Sequence, residues 1–256
     1  MQPRIQSFVQ QLVTGLNEAT ETGGYIDILA WYSWTTFDMI GDLAFGESFH
    51  CLEQKRTDPW ISAVYGSIKI VLFMSTVNRY YLEPLINYLT PKKLIKEREH
   101  NLSRGFLQIQ KRLAAGTNRG DFWDSVIEKS DFAKGTGITV PEMASNASVM
   151  ILGGSETTAT LLSGTTYLLL KHPEVMKKLR DEVRSTFKHD DEIDLQSVGK
   201  LDYMLAVLDE GLRIYPPVPK QSDRVVPPQG AMVAGKWVPG GVGPHHISPL
   251  PLGTLN

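Results

Sequence analysis

Apolar residues recur at intervals of three and four over most of residues 1–215, and turns containing glycine or proline separate the runs. Ile5, Phe8, Val9, Leu12, Val13 and Leu16 predict an opening helix that TETGG closes. YIDIL reads as a short strand or an extended lead-in, and WYSWTTFDMIGDLAFG as a helix ending at Gly46. DPWISAVYGSIKIVLFM and PKKLIKEREHNLSRGFLQIQKRLAAG predict two more, the second with a strongly charged outer face, and DFWDSVIEKS a short one. Thr139 and Glu142 have the spacing of a capping box. From there the longest helix runs to about Lys171, roughly 50 Å at about 1.5 Å per residue. Pro173 suits the first turn of the next helix, HPEVMKKLRDEVRSTF, and KLDYMLAVLDEGLRIY predicts another. From Pro216 onward prolines and glycines dominate, and only Ala231–Val233 and Lys236–Val238 look like short strands. The fold class is mainly α.

The midpoint of the longest helix, MILGGSETTATLL, sets the main question. Glu156 is the one charged residue between Glu142 and Lys171, so the helix should be buried on most sides. It is not a membrane span, because half of Met143–Leu170 is Gly, Ser, Thr, Asn or Glu. Gly153 and Gly154 each cost such a helix about 1 kcal/mol relative to alanine. Close helix packing, with the hydroxyls bonded back to carbonyls, is the commoner reason for such a sequence. The alternative is that the glycines clear space for a flat ligand, while Glu156 and Thr157 deliver a proton beside it through a locally opened turn.

A second constellation lies downstream in EGLRIYPPVP. Glu210 and Arg213 stand at i and i+3 on one helix face, close enough to pair. An isolated pair of this kind is usually solvated and structurally minor.

Together these segments resemble the cytochrome P450 monooxygenases. GGSETT is similar to the family's oxygen-activating motif, [Ala/Gly]-Gly-x-[Asp/Glu]-Thr-[Thr/Ser], on its long central helix. EGLR followed by YPPVP is similar to its Glu-x-x-Arg helix and the turn after it. HPEVMKKLRDEVRSTF looks like the helix between the two motifs, and WTTFDMIGDLAFGESFHCLE like a segment of filamentous-fungal members. The resemblance implies an incomplete cytochrome P450 fold, with a long central helix and a small β element near the C-terminus. It implies that Gly153 and Gly154 face a haem b, that Glu156 and Thr157 deliver protons, and that Glu210–Arg213 lock the core. Arg224, in SDRVVPPQG, matches the arginine that bonds a haem propionate; without the family context it reads equally as an exposed loop residue.

The implied reaction inserts one atom of O₂ into a C–H bond of a small apolar substrate, in the setting of secondary metabolism. Its electrons come from NADPH through a flavoprotein reductase, and the cofactor supplies the chemistry. The family is anchored in the endoplasmic-reticulum membrane; no such anchor is read in this chain, so the expected location is cytoplasmic or unknown.

Composition adds limits. The chain has 256 residues, 42% hydrophobic and 21% charged, the range of one globular domain or part of a larger one. A formal charge of −2 with interspersed signs gives no nucleic-acid footprint. A single cysteine, Cys51, excludes a disulfide framework and a cysteine-built zinc site.

The family pattern runs to Gly241 and then stops. Where Phe-x-x-Gly-x-Arg-x-Cys-x-Gly is expected to follow, VGPHHISPLPLGTLN stands instead. Residues 1–241 therefore read as a partial family domain and 242–256 as an aberrant tail. The proximal thiolate that favours O–O cleavage is absent from it. Cys51 lies in the distal helical segment and is no substitute by resemblance; His245 and His246 in the tail read as solvated rather than ligating. The expectation is a monooxygenase by lineage, a truncated or mis-spliced product inactive as written. The alternative is a non-enzymatic helical fragment that binds an apolar ligand or a protein partner.

Overall fold

The computed structural model describes residues 1–21, 23–62, 77, 92–116, 119–130, 137–219 and 225–241, with side chains of 92–102 excepted. The chain divides into two compact units, 1–217 and 218–256.

The first unit is helical. Helix α1 is Gln2–Glu21 and α2 is Ile28–Phe45. The short α3, Cys51–Gln54, is followed by α4, Lys92–Ala114, and α5, Asp124–Lys129. The central α6 is Val140–Lys171, with α7 at Pro173–Thr186 and α8 at Asp202–Ile214. YIDIL is not a strand. Its first residues are an irregular lead-in, and Asp27 then accepts a hydrogen bond from Ala30 N at 3.2 Å, so that helix begins at Ile28. The helix expected in DPWISAVYGSIKIVLFM is described only to Ser62; its remainder lies outside the described residues.

Helix α2 ends at Gly46, as its sequence predicts, with φ +75° and its N–H donating to Asp42 O. That left-handed cap leaves room for Arg112, whose Cδ lies where a side chain on Gly46 would stand. Arg112 is fully buried. It donates to Asp121 at 2.5 and 2.9 Å, to Asp124 at 2.7 Å and to Gly116 O at 2.6 Å. Nearby, Asp42 receives Arg4 of α1 and Arg119, each at 2.7 Å. These ion pairs fasten α1, α2 and the α4–α5 connection to one another.

The core lies between α2, α4, α5 and the first half of α6. Phe37, Phe45, Trp60, Ile109, Trp123, Met143 and Ile151 form it, with Cys51 at its edge of sequence but inside its volume. Trp123 satisfies its indole N–H on Ala44 O at 2.6 Å. Among the described residues, helix α2 makes the most extensive helix–helix contact of α6.

Helix α6 begins with the predicted capping box. Thr139 N donates to Glu142 Oε2 at 2.8 Å and Glu142 N to Thr139 Oγ1 at 3.4 Å. It is less enclosed than its composition predicts. One arc rests on α2, α4 and α8, while Val149, Tyr167 and Leu170 on another are 61–68% exposed. At the N-terminus of α8, the Glu182 carboxylate accepts from Tyr203 N and Met204 N, both at 2.9 Å, so α7 caps α8.

In the second unit, β1 (Ala231–Val233) and β2 (Lys236–Val238) pair antiparallel, as read from the sequence. Ala234 and Gly235 join them with φ +50° and +78°, the backbone of a two-residue type I′ turn.

Candidate functional site

The middle of α6 is an unbroken α-helix through Gly153–Thr157. The locally opened turn of the ligand-binding alternative is not formed, and the hydroxyls bond back to carbonyls inside the helix. Thr157 Oγ1 donates to Gly153 O at 2.6 Å and Ser155 Oγ to Ile151 O at 2.5 Å. Ser148 and Ser163 bond back to Ala144 O and Ala159 O in the same way.

The two glycines do different things. A Cβ at Gly154 would stand 2.8 Å from Ile40 Cδ1 and 3.1 Å from Cγ1, so Gly154 is where α2 seats on α6. Gly153 is exposed, and a Cβ there would meet nothing within 4 Å. Glu156 shares that outward face, and among the described residues its carboxylate has no partner. Thr157 lies beside it, partly buried. The structure thus brings Gly153, Glu156 and Thr157 to one open face and turns Gly154 toward the protein.

Glu210 and Arg213 form a two-pronged pair on α8, with Arg213 Nε to Glu210 Oε2 at 2.7 Å and Nη2 to Oε1 at 2.6 Å. Both side chains are more than half exposed. The hydrogen bonds and charge of Arg213 hold the Glu210 carboxyl below its usual range and raise the guanidinium. Between them, Gly211 is buried against Leu161 and Thr165 of α6, about one and two turns beyond Thr157. Arg224, His245, His246 and the tail lie outside the described residues.

Cys51 is 1% exposed inside the helical core, and burial pushes its thiol up to about 11. A neutral, enclosed thiol is not available to a metal. Among the described residues no three of His, Cys, Asp and Glu gather to hold a metal ion, and no helix is long and apolar enough to cross a membrane. The arrangement therefore presents one open mid-helix glycine, Gly153, flanked by an acid and an alcohol.

Two partners escaped sequence reading. Ile40 is an ordinary apolar residue on an apolar helix, with no local signal that it faces Gly154. The buried Arg112–Asp121 pair had a faint one, in the acids of GDFWD next to a basic helix end.

The cytochrome P450 family profile matches residues 1–242. Averantin hydroxylase of Dothistroma septosporum is 50% identical over 242 residues, covering 94% of this chain and 45% of that protein. Averantin hydroxylase of Aspergillus parasiticus is 46% identical, over 93% of this chain and 48% of that protein. Versicolorin B desaturase of Dothistroma septosporum is 42% identical, over 93% and 46%. The chain spans about half the length of the curated relatives it matches. In fold it is similar to the crystal structure of the cytochrome P450DA heme domain, with a TM-score of 0.68 at 20% identity, over 94% of this chain and 49% of that one.

Proposed function

The chain belongs to the cytochrome P450 family, and on that premise we propose that it forms the distal helical half of a fungal secondary-metabolism monooxygenase. The reaction is hydroxylation of a small apolar molecule; two of the relatives are named averantin hydroxylases. The observation that carries this reading is Gly153. Packing against Ile40 accounts for Gly154, but nothing among the described residues accounts for a second glycine in mid-helix, which costs about 1 kcal/mol. A flat ring lying close against α6 accounts for it.

Haem b is the ring the family uses, and when bound it supplies the oxygen chemistry, with electrons from an NADPH-dependent reductase. Among the described residues, those that would meet it lie on α6. Gly153 gives clearance, Thr157 holds a hydroxyl proton beside Gly153 O, and Glu156 offers a solvent-facing acid that can exchange protons with it. Arg224 is assigned to a propionate, and Glu210–Arg213, an exposed pair in these 256 residues, to the core of the whole monooxygenase. The only thiol is enclosed at Cys51, so these 256 residues give iron no thiolate and are inactive by themselves. Residues 1–241 are taken as the family portion and 242–256 as a segment outside its pattern.

The test is titration of the purified chain with ferric haem, followed by absorbance and tryptophan quenching. Gly153→Phe should weaken association about tenfold or more, a change of about 1.4 kcal/mol, with helix content unchanged. Cys51→Ala should leave it unaltered, and the reduced, CO-bound form should show no thiolate-type Soret band. Equal binding by Gly153→Phe, or a thiolate band lost on Cys51→Ala, would overturn the proposal.

A further inference from the structure

We draw no further inference here: the strongest candidate, the exposed stripe of α6 through Val149, Tyr167 and Leu170, is an unpartnered face, and nothing in the structure shows what covers it.

Discussion

Ile40 of α2 rests on Gly154 of α6 so closely that a methyl group on the glycine would lie 2.8 Å from its Cδ1, while the neighbouring Gly153 faces open space. Two adjacent glycines in one helix should therefore respond to the same substitution with opposite signs. Gly154→Ala gains the same helix propensity but forces Ile40 aside, an overpacking cost of about 1–3 kcal/mol, so the net effect should be a destabilisation of up to about 2 kcal/mol. Gly153→Ala removes a helix penalty without a clash and should stabilise it by roughly 0.5–1 kcal/mol. Urea denaturation of the two variants measures both. The double variant Ile40→Ala/Gly154→Ala should cost less than the two single changes added together. Two shifts of the same sign would mean that α2 and α6 are not seated as described.

Arg112 and Asp121 predict the largest single-site effect away from the helix crossing. Both side chains are fully enclosed, and the pair shares two hydrogen bonds. Arg112→Met leaves the Asp121 carboxylate buried without its partner, which costs about 3–5 kcal/mol, a large part of a typical folding margin. Replacing both with apolar residues, Arg112→Met/Asp121→Leu, should recover much of that loss. Thermal unfolding followed by circular dichroism distinguishes the cases. A single variant that melts like the parent chain would sink the claim that this pair holds α4 to the α5 connection.

Helix positions were legible wherever local chemistry marks them. The Thr139–Glu142 box, Gly46 and Pro173 each act within one turn of themselves, so α6, α2 and α7 begin or end where the sequence says. The hairpin strands were legible for the same reason. What failed was anything that depends on a distant neighbour. YIDIL has a strand-like apolar pattern but no partner strand among the described residues, so of its two readings the extended lead-in holds, and Asp27 caps the helix that follows. Gly153 and Gly154 look equivalent in sequence; only Ile40, more than a hundred positions earlier, separates them. The candidate site was likewise legible as residue types, while the unbroken helix through Thr157 depends on a hydroxyl choosing an internal carbonyl.

Glu210 and Arg213 should behave unlike the buried pair despite equally short contacts of 2.6 and 2.7 Å. Both side chains are mostly in water, where Coulomb attraction is screened and long side chains lose entropy on pairing. Arg213→Ala is therefore expected to leave the unfolding midpoint of this chain within measurement error of the parent. Added salt at about 0.5 M should remove any residual difference, because the screening length is then under about 8 Å. A large destabilisation that persists in salt would show that the pair already locks the core in these 256 residues.

Cys51 makes the folded chain sensitive to alkali. Its thiol ionises near 9.0 when unfolded and at about 11 in the fold, because burial disfavours the thiolate. Between those values the unfolded chain has lost its proton and the folded chain has kept it. Unfolding then releases a proton, and stability falls as pH rises. The contribution is fully present below pH 9 and lost as pH climbs through about 11, an effect on the order of 1–2 kcal/mol. Lysines and tyrosines titrate in the same range, so the parent curve alone is ambiguous. The difference between the parent and Cys51→Ala isolates the thiol: urea midpoints measured from pH 7 to 11 should converge as pH rises, the parent losing its advantage. Parallel curves would mean that the thiol is as free to ionise in the fold as in the open chain, and that Cys51 is reachable after all.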